Sequence, residues 1–406
     1  MSATPPSIAI AALVLGGPEV VRVVLNSTST KKPPSIAIEA LVLGGPEVVR
    51  VVLNVSQQKT KKPMIRAWFR VSHVALFLTA ASGVVLGPKS TGSDVLAKYR
   101  AKGLPAYVIR GGTAVVTGGN SGLGLQSVAV LLKAGCRVVL CSREVNAGRA
   151  ALASLEGVDL SRARVQQLDL ADLNSIAAAH KEIAATERSI SLLLNNAGVM
   201  ACPQQQTKQG FELQIGTNHI GHFALTRLLL PFMEPDGRVV TVASIAHGMG
   251  EVDASDLDFA RRKYTKWGAY GQSKGANILF AKGLADELLR ANSKIVSVSL
   301  HPGVIATPLW RHGNFLVTWL ISKVYCDKDE AQGASTQLYA CLAPTEALPA
   351  GAYLMDCALA MPNAACADET GKARKALWEE TERRIAAAGL ALPNTLLGGT
   401  IARSSS

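Results

Sequence analysis

The 406 residues carry 42 Lys and Arg against 30 Asp and Glu, a formal +12, with 48% hydrophobic and 18% charged side chains. That is too apolar for a disordered chain, and it lacks the biases of collagen, a disulfide-stapled scaffold or a multi-pass membrane protein. The charge is uneven: residues 1–110 hold 14 basic and 4 acidic side chains, leaving 28 and 26 for residues 111–406, a nearly neutral body. Nucleic acid is therefore not expected as a partner, since the basic N-terminus has no aromatic interleaving and no recognisable binding fold.

Residues 1–62 are a duplicated extension. Residues 5–26 recur at 33–54 with one difference, Ala11 against Glu39, a period of 28 residues. Each copy reads as an apolar strand, a Gly-Gly-Pro turn and a second apolar strand. Solenoids need about three or more units to bury a continuous core, so the pair is read as a segment without function of its own or as a gene-model extension upstream of Met64.

Residues 63–110 change character. Arg66 and Arg70 precede an uncharged stretch of 18 residues from Val71 to Pro88, and no acid occurs between Glu47 and Asp94. Three readings fit: a membrane anchor over residues 66–88, a signal-peptide core, or an acid-poor transit peptide. The anchor implies association with the endoplasmic reticulum or another organelle membrane, and the transit peptide a chloroplast or mitochondrion. Gly87 to Ser93 then reads as a linker, and Asp94 to Lys102 as a short helix.

Residues 111–390 read as a single catalytic domain, with 391–406 as a flexible tail. Ala114–Val116 is a short buried strand, followed by Thr117-Gly118-Gly119-Asn120-Ser121-Gly122-Leu123-Gly124 and a helix over Leu125–Ala134. A Gly-rich turn between strand and helix lets the backbone turn sharply and lie against a pyrophosphate at the helix N-terminus. Further strands are expected at Arg137–Cys141, Arg164–Leu168, Ser191–Asn195, Arg238–Val242 and Lys294–Leu300, with helices such as Ser175–Thr186 and Ser273–Arg290 between them. This alternation predicts an α/β doubly wound parallel sheet, a Rossmann fold. Ligands bind such sheets at the strands' carboxyl ends, where the Gly-rich turn, Asp169, Asn195 to Gly198, Ser244 and His301-Pro302-Gly303 would meet.

Thr117-Gly118-(x3)-Gly122-x-Gly124, Asn195-Asn196-Ala197-Gly198, Ser244, Tyr270-x-x-x-Lys274 and Pro302-Gly303-(x3)-Thr307 occur in that order, and the set resembles the short-chain dehydrogenase/reductases over residues 111–385. Ala243-Ser244-Ile245-Ala246-His247, Ala276-Asn277-Ile278-Leu279-Phe280 and the late Gly351-x-Tyr353-(x2)-Asp356-Cys357 are similar to its retinol-dehydrogenase-like branch, which includes plant relatives associated with chloroplast import. Gly275 stands where a Leu is usual, and Ala243 where a second Ser is common.

The resemblance implies a catalytic set of Asn218, Ser244, Tyr270 and Lys274. Tyr270 and Lys274 are four apart and share a helix face. A nearby ammonium lowers a phenol pKa from about 10, which makes Tyr270 the expected acid/base, with Ser244 holding the substrate oxygen. Asn218 would keep a relay water near Lys274, and Lys274 would also reach the nicotinamide ribose. Gly118, Asn120, Ser121, Gly122, Leu123, Gly124, Asp169, Asn196, Ala197, Gly198, Pro302, Gly303 and Thr307 would bind the dinucleotide. Arg143, 19 residues after Gly124, would accommodate the 2′-phosphate of NADP, where an acid would bind the 2′-hydroxyl of NAD; Glu144 beside it either dissents or starts the next helix.

Trp310, Phe315, Trp319 and Tyr325 fall within sixteen residues where the family carries its substrate lid, which suits a lipophilic alcohol, aldehyde or ketone. The expected activity is thus an NADP-dependent oxidoreductase; an NADP(H)-binding redox-sensing or scaffold protein is the alternative, and a homo-oligomer is compatible with either. Seven scattered cysteines without a C-x-x-C pair indicate buried thiols, and His219-x-x-His222 has a ligand-like spacing but no third ligand near in sequence, so no metal is expected.

Overall fold

The structure, a computed structural model, describes residues 84–305 and 328–397, together with the backbone of four strands between Ile8 and Val55. The chain divides into two units, Met1–Leu78 and Thr79–Ser406. In the first, β1 (Ile8–Val14), β2 (Val20–Ser27), β3 (Ala37–Leu43) and β4 (Arg50–Val55) make an antiparallel sheet in sequence order. Each repeat supplies one hairpin, and β2 pairs with β3 to join the copies. Most of the expected anchor, residues 66–83, lies outside the described residues; among those described, no helix is long and apolar enough to cross a membrane.

The second unit begins with α1 (Gly92–Lys102), two residues earlier than the sequence reading. Asp94 is not its start but its third residue: Thr91 and Asp94 form a reciprocal capping box, which draws the expected linker into the helix. Then come β5 (Thr113–Thr117), α2 (Gly122–Ala134), β6 (Arg137–Ser142), α3 (Val145–Ala153), β7 (Ala163–Gln167), α4 (Leu173–Thr186) and β8 (Ile190–Asn195). The second half follows with α5 (Gly221–Leu229), β9 (Met233–Val242), α6 (Lys266–Arg290), β10 (Val296–His301), α7 (Glu330–Leu342), β11 (Tyr353–Met355), β12 (Ala358–Ala360) and α8 (Lys372–Ala387).

The eight strands stand in the order β12-β11-β10-β9-β8-β5-β6-β7, all parallel except β12, which returns antiparallel at the edge. The sheet is the expected doubly wound Rossmann arrangement. β5 lies between β6 and β8, so the chain reverses direction across the sheet there, and the carboxyl ends of β5 and β8 form the switch point where such folds bind ligands. The central strands are buried on both faces, as their unbroken apolar runs require. Val116, Leu140, Leu194 and Val298 pack with α1, α2 and α7 on one face; Val115, Leu193 and Val239 pack with α4, α5, α6 and α8 on the other.

The start of α6 and the two edge strands β11 and β12 escaped the sequence reading. α6 starts at Lys266, seven residues before the expected Ser273, because Thr265 caps it by accepting the Gly268 amide. β11 and β12 are only three residues each, too short for a period-two pattern to register; they are joined through Asp356 and Cys357, both left-handed (φ 52° and 61°).

Candidate active site

At the end of β5 the chain turns through Gly118 (φ 63°) into α2, and a Cβ there would lie 3.0 Å from the Ala197 backbone. Gly124 is more constrained: its Cβ would sit 2.2 Å from the Gly118 carbonyl oxygen. The turn is thus folded back on the first turn of α2 so closely that neither position admits a side chain. Ser121, the residue capping α2, makes no side-chain capping bond. The first residues of the helix line a cavity, and the helix N-terminus brings a partial positive charge to it.

That cavity, about 1130 Å³, runs along the carboxyl edge of the sheet. Gly118, Asn120, Ser121, Gly122, Leu123 and Gly124 line it at one end, Arg143 and Asp169 beside them, then Asn196, Ala197 and Gly198. Ser244, Tyr270 and Lys274 line the other end with Pro302 and Gly303. Every expected site residue therefore borders one space, except Asn218, which lies behind the wall, and Thr307, which is outside the described residues together with the aromatic stretch from Trp310 to Tyr325.

The loop after β8 is fixed by Thr117. Its hydroxyl oxygen accepts the Asn196 and Ala197 amides at 2.9 and 3.0 Å, while Asn196 Nδ2 donates to the Thr117 carbonyl at 2.9 Å. Asp169 is turned inward by its own Asx bond, Oδ1 accepting the Ala171 amide at 2.9 Å. Arg143 is exposed at the cavity rim, and its guanidinium makes no ion pair among the described residues. Glu144 caps α3, and its carbonyl accepts the buried Ser142 hydroxyl at 3.0 Å.

At the other end, β9 delivers Ser244, and α6 carries Tyr270 and Lys274 one turn apart. Ser244 caps a short 3-10 turn (Ile245–Met249) by accepting the Ala246 amide at 3.2 Å, and its side chain borders the cavity with the Tyr270 phenol. Lys274 Nζ donates to the Val242 carbonyl at 3.0 Å and lies 5.7 Å from the Tyr270 ring centre. Burial pushes the phenol up to about 12, Ser244 opposing it, and burial pulls the amine down to about 8. The direction is opposite to the lowering expected from a neighbouring ammonium, because burial of the phenol disfavours its charged form.

Asn218 is fully buried. Its side chain does not open onto the cavity: Oδ1 accepts the Val199 amide at 2.8 Å, and Nδ2 donates to the Val199 carbonyl and to Ser273 Oγ, each at 2.9 Å. Asn218 thereby locks the strand-end loop to α6. Gly198 holds these groups together, since a Cβ there would lie 3.1 Å from Asn218 Oδ1 and 3.6 Å from Lys274 Nζ.

The apolar wall near Tyr270 was not foreseen. Met200, Cys202, Leu213, Met249 and Trp267 line it, and the Trp267 ring meets the Tyr270 ring edge-on at 6.0 Å. Trp267 precedes Tyr270 by three residues on one helix face, a signal that was present in the sequence; the others come from separate loops. His219 and His222 do not converge on a metal. Nε2 of His219 bonds the Thr381 hydroxyl, whereas His222 faces Thr117. Among the described residues six cysteines are buried, and Cys326 lies outside them.

A doubly wound sheet with a Gly-rich turn at its switch point and Ser, Tyr and Lys gathered at the adjoining strand and helix defines the class of the Rossmann oxidoreductases. Residues 112–314 match the short chain dehydrogenase family, and the chain belongs to that family, in its retinol-dehydrogenase-like part. It is 40% identical to retinol dehydrogenase 11 of Mus musculus over 256 residues, covering 62% of this chain and 79% of that one. It is 35% identical to the short-chain dehydrogenase TIC 32 A, chloroplastic, of Brassica napus over 295 residues, covering 70% and 90%. A solved structure from Mycobacterium paratuberculosis, described as a putative uncharacterized protein, superposes with a TM-score of 0.57 at 34% identity over 72% of this chain and 98% of its own.

Proposed function

We propose that the protein interconverts a lipophilic alcohol and its aldehyde or ketone with NADP(H), using Tyr270 as the acid/base. The observation that carries this reading is the single cavity joining the Gly118–Gly124 turn to the Ser244–Tyr270 pair beside an apolar wall. The backbone cradle fits a dinucleotide: two glycines leave no room for a Cβ, and an uncapped helix N-terminus borders the place where a pyrophosphate would lie. When bound, the dinucleotide supplies or accepts the hydride.

Each residue then has a separable task. Ser244 donates to the substrate oxygen and fixes its position. Tyr270, protonated at neutral pH in its buried setting, gives its proton to that oxygen in reduction and takes it in oxidation. Lys274 holds its amine close to the phenol and supports negative charge there. Asn218 acts from behind by fixing Val199 and Ser273. Arg143, exposed and without an ion pair at the rim, suits the extra phosphate of NADP over NAD. Met200, Leu213, Met249 and Trp267 exclude water from the reacting carbon and favour a lipophilic substrate; a retinoid is the type suggested by the relatives' names.

Domain roles follow the same reading: 111–390 is the catalytic domain, 1–62 an extension, and 63–110 a targeting or membrane-anchoring segment. Turnover is the test. The purified protein with NADPH should reduce at least one of retinal, long-chain aldehydes and steroid ketones. If it binds NADPH and reduces none, the redox-sensing or scaffold role takes precedence.

A further inference from the structure

His222 is buried completely and does not line the cavity, yet it touches both halves of the site. Nδ1 lies 2.8 Å from the Asn218 carbonyl oxygen. A carbonyl only accepts, so Nδ1 carries the ring hydrogen. Burial, with the Lys274 charge adding to it and the Asn218 carbonyl opposing, pulls the imidazole down to about 4, so the ring is neutral. Nε2 therefore presents a lone pair, and it lies 2.9 Å from Thr117 Oγ1. The competing acceptor for that hydroxyl, the Leu194 carbonyl, is farther away at 3.3 Å. With its hydrogen committed to His222, the Thr117 oxygen turns its lone pairs to the Asn196 and Ala197 amides.

The helix geometry leaves room for this. Gly216–Ile220 is a π-helical turn, in which the Gly221 amide bonds the Gly216 carbonyl five residues back. Bonding in that bulge is displaced by one residue, and the His222 ring serves the Asn218 carbonyl from the side.

We propose that His222 is a positioning residue that couples the nucleotide cradle to the Asn218 turn, by way of an Asn218 carbonyl–imidazole–Thr117 hydroxyl chain ending on the Asn196 and Ala197 amides. It fixes the loop on which the dinucleotide would lie relative to the turn that locks Val199 and Ser273 behind Lys274. The coupling rests on the proposed nucleotide reading for its consequence but not for its geometry.

Two conservative replacements divide the chain of bonds. His222→Asn places an amide donor near the Asn218 carbonyl and loses Thr117; His222→Gln reaches Thr117 and loses that donor. The Asn variant should bind NADPH about tenfold more weakly with kcat at saturation near wild type, and the Gln variant should keep NADPH affinity and lose about tenfold in kcat, the scale of one hydrogen bond. Thr117→Val, which also removes the acceptor of the Asn196 and Ala197 amides, should lose at least as much NADPH affinity as the Asn variant. Selective 15N-histidine spectra of the wild-type chain, which need neither nucleotide nor substrate nor any variant to fold, should show a neutral ring protonated at Nδ1 and unchanged between about pH 5.5 and 8.5. An Nε2-protonated ring, or variants that lose affinity and kcat in parallel, would overturn the coupling alone. Failure of the wild type to bind either NADPH or NADH would instead overturn the nucleotide reading, with the spectra still deciding the tautomer.

Discussion

Arg143 stands alone at the cavity rim, and its contribution can be isolated there. A charged hydrogen bond contributes about 1.5–3 kcal/mol, so Arg143→Ser should weaken NADPH about 10- to 100-fold and leave NADH nearly unchanged, as titration calorimetry would read. Lys274 makes a different prediction through its buried amine. Its folded pKa, about 8, lies below the unfolded 10.5, so between those values the unfolded chain holds more protons and stability rises with pH. The burial penalty is full below about pH 8 and disappears by about 10.5. Lys274→Met should therefore gain stability over wild type at pH 7, and that advantage should shrink towards pH 10 in urea midpoints. The Gly-rich turn, Ser244 and the Tyr270–Lys274 pair were legible in the sequence because each is a short local pattern with one chemical purpose. The Tyr270 pKa was not, since it depends on how much protein covers the phenol, and sequence spacing carries only the neighbouring charge.

At the scale of elements, the sheet order follows from alternating apolar runs, and its switch point places the nucleotide turn opposite the β8 loop. The carboxyl ends were legible because the parallel strands all end at the same edge. The amino-terminal extent of α6 was not: Thr265 is an ordinary threonine until its hydroxyl meets the Gly268 amide. The π-helical turn at Gly216–Ile220 likewise leaves no mark in a 3.6-residue pattern. One buried cation ties elements together on the apolar side. Arg238 of β9 donates to the Ala340 and Cys341 carbonyls at 3.0 and 3.3 Å, at the negative end of α7, and stacks over Tyr107. Arg238→Ala should take that donor from the Ala340 carbonyl and leave a void, with the Cys341 carbonyl still held by the Tyr107 hydroxyl, and cost about 3 kcal/mol in chemical denaturation. A loss under about 1 kcal/mol would show that water replaces the guanidinium.

For the whole molecule, the opening charge of +12 is a sum over dissimilar parts, most of it carried by residues 1–110. Residues 79–406 alone should fold cooperatively and bind NADPH within about twofold of the full chain, and a larger loss would give the duplicated extension a part in the catalytic unit. Apart from Trp267, the apolar wall of the cavity was beyond sequence reading for a reason of scale, since Met200, Leu213 and Met249 come from three separate segments and meet only in the folded chain. The account as a whole turns on Tyr270 as the proton donor. The most direct test is the rate of NADPH oxidation at saturating nucleotide with whichever lipophilic carbonyl the wild type reduces, compared between wild type and Tyr270→Phe. The predicted result is a fall of about 10²- to 10⁴-fold with NADPH affinity unchanged; a variant that keeps its rate would contradict the account.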